Sequence, residues 1–410
     1  MPTPLYFDNN ATTFPAPEAV EAMLPLLGEF YGNPNSQHAL GQKTRHEIEV
    51  AREHVAALLH CKTTEVVFNS GATEGNNTAI YAALQARPDR KHIITVKTEH
   101  SSVLEVVRSL ASRGYRVTEL NVDRSGHLDL DELKNEISGD TALVSVMWAN
   151  NETGVLHPVG AIGDMAKQFG ALVHIDAAQA AGKLAIHLGE ELAIDFLTIS
   201  AHKFHGLKGC GALFVRHGTA FEPLLRGGHQ EGGQRAGTEN VVGIVAMGQA
   251  ARLAHLKLDQ HVETMRKMRD RLQRGLLDKV QDLVFHGDQV SRLPNTVSVG
   301  FKFIDGEALL MMMDAQGICA TAGSACRSGS MEPSHVLQAM DTPVSSIHGS
   351  VRFCVSRYTT QAEVDELIEK VGAIVARLRQ MSPFDTSAAT AETGPSDAEL
   401  EQHKAWFARA

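Results

Sequence analysis

No stretch of the 410 residues approaches the roughly 20 consecutive apolar residues that cross a bilayer, and the longest apolar runs, such as 142–147, are of strand length. The first 20 residues begin Met-Pro-Thr-Pro-Leu-Tyr-Phe-Asp and lack a basic leader, an apolar segment and a small-residue cleavage site. A cytoplasmic protein without membrane attachment is expected. Cysteine is scarce: Cys61, Cys210, Cys319, Cys326 and Cys354 are widely spaced and include no C-x-x-C pair, which argues against a disulfide framework or a thiol-based zinc site. His202 and His205 have no third and fourth ligand at matching spacing, so no metal is expected. Basic residues number 38 against 48 acidic ones, a net charge of −10, and they are spread along the chain rather than gathered into a footprint for nucleic acid. The remaining composition, 43% hydrophobic and 21% charged, is that of an ordinary globular protein acting on small molecules.

The length exceeds one comfortable hydrophobic core, so two packed units are expected. From residue 65 to about 216, short β-rich runs alternate with helical patterns, the signature of a doubly wound α/β unit with a mostly parallel sheet. The expected strands are 65–69, 92–97, 116–121, 142–148, 171–176, 196–200 and 211–215, with helices over 73–86, 101–113, 130–137 and 159–169. One long helix is expected over 241–280, followed by a smaller αβ unit. The implied division is 15–260 for the large cofactor-binding domain, 1–14 with 261–382 for the small one, and 383–410 as a flexible tail rich in Ser, Thr, Ala, Pro and Gly.

In such a sheet, ligands sit beyond the carboxyl ends of the strands. Five expected strands end in polar clusters: Ser70-Gly-Ala-Thr-Glu, Thr98-Glu-His100, Asn150-Asn-Glu-Thr-Gly, Asp176-Ala-Ala-Gln179 and Ser200-Ala-His-Lys203. The turn at Gly71, Ala72 and Thr73 precedes a helix and suits a phosphate. Asp176, directly after an apolar run, needs a positive partner, which a pyridinium nitrogen supplies. Lys203 on the same rim is an amine able to form an imine with an aldehyde. One ring bearing an aldehyde, a phosphate and a pyridine nitrogen, pyridoxal 5'-phosphate, accounts for all three.

The motifs Tyr6-Phe-Asp-Asn-Asn-Ala-Thr-Thr, Ser70-Gly-Ala-Thr-Glu-Gly-Asn-Asn, Ala149-Asn-Asn-Glu-Thr-Gly, His174-Ile-Asp-Ala-Ala-Gln, Ser200-Ala-His-Lys-Phe-His-Gly and Arg235-Ala-Gly-Thr-Glu-Asn together resemble the cysteine desulfurases, fold-type-I pyridoxal-phosphate enzymes. The resemblance runs from about residue 5 to 383. Leu293-Pro-Asn-Thr, the segment from Gly323 to His335 and Ser356-Arg-Tyr-Thr-Thr are most similar to the nitrogen-fixation, or NifS, branch. The resemblance implies a cofactor held on Lys203, with His100 stacking on its ring and relaying protons. It implies that Asp176 pairs with the ring nitrogen, Gln179 contacts the ring hydroxyl, and Asn151 lies beside ring and substrate. Ala72, Thr73, Ser200 and His202 would hold the phosphate, joined by Thr238 from the neighbouring subunit of a homodimer. Arg352 would bind the carboxylate of L-cysteine as a bidentate fork.

Cys326 lies in a small-residue segment with several nearby glycines and no apolar periodicity, a composition suited to a thiolate that attacks the substrate sulfur and then presents it to another protein. Arg327 and the site cations would favour that thiolate. The resemblance makes the product a persulfide on Cys326, the co-product L-alanine, and the acceptor an iron–sulfur scaffold protein, with nitrogenase assembly as the service. Selenocysteine lyases and aminotransferases share Lys203 and Asp176, so Cys326 is the discriminating residue. A scaffold that keeps the fold without the chemistry is the other alternative. Ordinary roles compete at single positions: a surface lysine for Lys203, an ion pair or cap for Asp176, a helix cap for His100. His205 reads as structural and Cys61, Cys210 and Cys354 as buried packing residues, Cys354 standing where the family usually carries serine.

Overall fold

The runs from residue 66 to 215 are apolar on both faces, so they can be stable only as strands covered on both sides. The computed structural model describes residues 4–189, 192–322 and 334–381. After a short first strand β1 (Leu5–Tyr6), the strands β2 (Val66–Asn69), β3 (His92–Val96), β4 (Arg116–Leu120), β5 (Thr141–Met147), β6 (Leu172–Asp176), β7 (Phe196–Ser200) and β8 (Gly211–Val215) form one sheet in the order β2-β8-β7-β6-β5-β3-β4. Only β8 runs against its neighbours; the other pairings are parallel. One face is buried by the helices Ala39–Leu59, Val159–Gln168 and Val241–Leu256, the other by Ala72–Ala86 and Ser101–Ala111. The doubly wound reading of the sequence therefore describes the fold, with strand ends shifted by one residue or so.

A second core is built on the antiparallel sheet β12-β10-β9, whose strands are β9 (Leu283–Phe285), β10 (Thr296–Phe301) and β12 (Ser350–Cys354). The helices Leu258–Lys279, Gly306–Ala315 and Gln361–Met381 pack on it. Leu5 and Phe7 are buried in this core, and β1 pairs in parallel with β11 (Ile318–Cys319). The chain thus joins its beginning to residues more than 300 positions later.

The single helix expected over 241–280 is two, Val241–Leu256 and Leu258–Lys279, set at 81° to each other about a non-helical Lys257. The reason lies in what each half buries. The first is apolar nearly all round and lies so close to helix Ala39–Leu59 that a Cβ on Gly248 would come within 2.5 Å of Ala51. The second is charged with one buried face, Met265, Leu272 and Leu276, turned to the second core. Among the described residues, no single helix is long and apolar enough to cross a membrane, and no cluster of His, Cys, Asp and Glu is placed to hold a metal ion. The expected tail 383–410 and Cys326 with Arg327 lie outside the described residues.

Burial holds His157, His174 and His286 down to a pKa of about 4. Unfolded, each ring titrates near 6.5, so folded and unfolded chains are equally neutral above that pH. As pH falls from 6.5 towards 4, the unfolded chain takes up protons that the folded one refuses, and each ring costs on the order of 1–2 kcal/mol of stability at pH 5. We expect the calorimetric unfolding midpoint to drop by several degrees between pH 7 and pH 5; an unchanged midpoint would count against neutral burial of these rings.

Candidate active site

Strand ends carry the polar clusters to one cavity of about 500 Å³, lined by Ala72, Thr73, His100, Asn151, Asp176, Gln179, Ser200, His202, Lys203 and Arg352. Thr238 is exposed and does not line it.

Lys203 ends a short helical turn after β7, and its Nζ donates to the carbonyls of Asn10 (2.7 Å) and Ala11 (2.9 Å). Asp176 closes β6. Its Oδ2 accepts from the fully buried Asn76 amide at 2.7 Å and its Oδ1 from the Ala178 N–H at 2.9 Å, which orients the carboxylate. The amine and the carboxylate thus enter the cavity from two neighbouring parallel strands.

Gly71, Ala72 and Thr73 open helix Ala72–Ala86. Gly71 has φ of +143°, a conformation L side chains rarely adopt, and the chain comes so near β8 that a Cβ on Gly211 would lie 2.7 Å from the Gly71 Cα. The first helical turn, whose amides lack intrahelical partners, lines the cavity at Ala72 and Thr73 together with Ser200 and His202, an arrangement that suits a phosphate. Glu74 locks this turn: it accepts from the Ser70 N–H at 2.9 Å and from Arg235 at 2.9 and 3.2 Å. Burial alone would raise the Glu74 pKa, but these bonds from Arg235 and Ser70 carry it below the usual carboxylate range. The same ion pair ties down the segment bearing Thr238.

His100 caps a helix and lines the cavity at once. Its Nδ1 caps helix Ser101–Ala111, accepting from the Ser102 N–H at 3.1 Å, while the ring lines the cavity. Burial lowers its pKa, with Lys203 and His335 acting in the same sense and Asp176 against. With Nδ1 as acceptor, a neutral ring carries its proton on Nε2. The preceding residue, Glu99, is completely buried; burial, and then Asp176, raise its pKa well above the usual carboxylate range, against the hydrogen bond from the Met147 N–H.

Arg352, on β12, donates Nη2 to Asp8 at 2.7 Å and Nη1 to the Asn151 carbonyl at 3.0 Å, while its buried Nε has no partner among the described residues. Two of its five N–H groups are committed to protein and the Nε is closed off by burial, so only the remaining Nη hydrogens, not the whole fork, are left for an anion. The ends of the segment that contains Cys326 attach here: the Arg352 N–H donates to the Thr321 carbonyl at 2.8 Å, and Ser334 donates to the buried Glu152, next to Asn151.

Several residues that organise the site were given no role in the sequence reading. Asn10 is the hub. Its side chain donates to the Asn151 carbonyl and Thr296 and accepts from Asn295, while its carbonyl receives both Lys203 and Gln179. Its motif marked it, but the contacts join positions 141 to 286 residues apart, which no local pattern reveals. Asn76, bonded to Asp176 a hundred positions on, is hidden in the same way. His205 is structural as expected, with its backbone N–H on Thr13 and its Nδ1 on the Phe14 carbonyl.

A model of the aminotransferase class-V family matches residues 5–367. The chain is similar to the cysteine desulfurase of Trichormus azollae, 52% identical with 93% of this chain and 95% of the relative covered. It is likewise similar to the cysteine desulfurase NifS of Azotobacter vinelandii, 47% identical over 93% and 94%. Among solved structures, a NifS-like protein superposes with a TM-score of 0.86 at 37% identity, over 92% of this chain and all of the other.

Proposed function

The chain belongs to the class-V aminotransferase family and is a cysteine desulfurase, and from that premise we propose that its cavity holds pyridoxal 5'-phosphate on Lys203 and that sulfur from L-cysteine is captured as a persulfide on Cys326. The family depends on this cofactor. The observation that carries the reading is the convergence in one cavity of the Lys203 amine, the Asn76-held carboxylate of Asp176 and a helix start beside Thr73. These three match an aldehyde, a pyridine nitrogen and a phosphate. Asp176 would face the ring nitrogen, Gln179 and His100 would contact the ring, and Ala72, Thr73, Ser200 and His202 would hold the phosphate. When bound, the cofactor supplies an electron sink for the bond electrons of the substrate α-carbon.

The chain's own residues supply the rest. Arg352 takes the substrate carboxylate on the Nη hydrogens not bonded to Asp8 and Asn151, both it and Asn151 lining the cavity. The Lys203 amine, released by the substrate amino group, takes the α-proton. His100, neutral with a proton on Nε2, is placed to donate or accept at the far side of the cavity. The Cys326 thiolate attacks the substrate sulfur; the carbon–sulfur bond breaks with its electrons left on the substrate, which gains protons and departs as L-alanine.

We further propose a homodimer in which Thr238 of one copy reaches the other's phosphate site. Its exposure outside its own cavity supports this, as do the exposed Leu24, Leu27 and Tyr31 on and just after helix Pro17–Gly28. A cytoplasmic location suits the free thiols of Cys61, Cys210, Cys319 and Cys354. Similarity to the Azotobacter NifS supports an iron–sulfur scaffold as sulfur acceptor, in the service of nitrogenase assembly. The test is brief exposure of the purified protein to L-cysteine. We expect alanine in the medium and one added sulfur on the tryptic peptide containing Cys326; alanine formed with no sulfur on that peptide would overturn the assignment of Cys326.

A further inference from the structure

Lys183 is 5% exposed and has no part in the chemistry above. It lies in the turns after β6, four residues beyond Gln179, and its Nζ donates to Gln179 Oε1 at 2.8 Å. Gln179 Nε2 in turn donates at 2.9 Å to the Asn10 carbonyl, the oxygen that also accepts Lys203 Nζ at 2.7 Å. A buried chain of hydrogen bonds therefore leads from Lys183 through Gln179 and Asn10 to Lys203.

A lysine is expensive at this position. Lys203 lies on the adjoining turn, and Arg352 and Cys354 face Lys183 from β12. His205, His261 and Arg357 share a small cavity with it on the other side. Burial above all brings its amine down to a pKa of about 7; Cys354 opposes this, and the cations Lys203 and Arg352 add to the lowering. A methionine or leucine would fill the space without that cost, so the amine must do something that an apolar chain cannot. An ammonium only donates, so it accepts one orientation of the Gln179 amide, with Oε1 towards itself. Nε2 is then turned to Asn10 and the cavity. The Asn10 carbonyl, which accepts from Nε2, favours the same orientation, so the amide is held from both ends, its oxygen by Lys183 and its nitrogen by Asn10.

We propose that Lys183 is a positioning residue that locks the Gln179 amide with its N–H groups towards the cavity and thereby tunes the proton affinity of the cofactor bound on Lys203. The proposal rests on the cofactor reading above. Loss of the lysine removes a nearby cation and frees the amide to turn its oxygen inward, and both changes favour protonation at the neighbouring centre. The test is a pH titration of the visible absorption band of the cofactor-loaded protein. Lys183→Met is expected to move the midpoint upward by about one pH unit. Gln179→Leu should move it in the same direction, and the double variant should match Gln179→Leu in the part carried by the amide, leaving less than the sum of the two single shifts. Lys183→Leu serves in place of Lys183→Met if the latter does not fold. A wild-type midpoint retained in the lysine variant, or shifts that simply add, would overturn the proposal. A wild-type protein that shows no visible band with pyridoxal phosphate would instead overturn the cofactor reading.

Discussion

Replacing Lys203 by alanine is expected to lower the release of alanine from L-cysteine by at least about a thousandfold, within the range that loss of a positioned proton-transfer group produces. The reason is geometric. The amine is held by the carbonyls of Asn10 and Ala11, two acceptors that keep it directed across the cavity mouth of β7, one strand away from Asp176. No other amine in the cavity lining has that placement: Lys208 also lines it but lies beyond the turn. Alanine at 203 removes at once the covalent hold on the cofactor and the base for the α-proton, and it leaves the two carbonyls without their donor. Borohydride reduction followed by mass mapping checks the first loss, since the wild-type chain should retain the cofactor on the Lys203 peptide and the variant should not. Stopped-time measurement of alanine checks the second. A variant that still released alanine at a rate near wild type would remove Lys203 from the mechanism.

Cys326→Ala is expected to be nearly as severe, but only for sulfur. Persulfide formation should fall by roughly a thousandfold or more, as for loss of other catalytic nucleophiles, while the visible band of the cofactor remains. The other thiols are poor substitutes. Burial pushes Cys61 and Cys210 up to about 12 and raises Cys354 and Cys319 as well, so none of the four is a ready thiolate at neutral pH. Cys326 stands five residues after Thr321, whose carbonyl is bonded to Arg352. Five residues of chain extend at most about 17 Å, which bounds how far Cys326 can lie from that anchor. Sulfur transfer measured with sulfide-sensitive and mass readouts separates the two losses. Persulfide found on Cys61, Cys210, Cys319 or Cys354 of the variant at the wild-type rate would reassign the acceptor.

The parts of this site that could be read from the sequence are those fixed by strand ends. Asp176 closes one five-residue buried strand and Lys203 follows another, so alternating β and α patterns were enough to bring them to one rim. The cap at His100 was legible because the residue stands directly before a helix. What escaped was non-local. The turn at Lys257 contains neither proline nor glycine; it exists because the two halves of the 241–280 stretch bury different faces in different cores, and that conflict becomes visible only once both cores are present. Asn76 and Asn10 act through hydrogen bonds to residues on other elements, and Lys183, though bonded only four residues back to Gln179, owes its burial to β12 and the turn at Lys203. Arg352 was placed correctly in the cavity, but its engagement of Asp8 and the Asn151 carbonyl, which narrows the edge left for a ligand, depends on a pairing of residues 344 apart.

The parallel pairing of β1 with β11, Leu5 beside Ile318 and Tyr6 beside Cys319, also bears on the catalytic amine. Every strand of the large sheet lies between residues 66 and 215, whereas β1 finds its partner more than three hundred positions away. Asn10 and Ala11, which hold the Lys203 amine, lie just beyond β1. The two carbonyls are thus placed beside a pairing that closes a very long loop, the kind of contact whose entropic cost makes it slow to form.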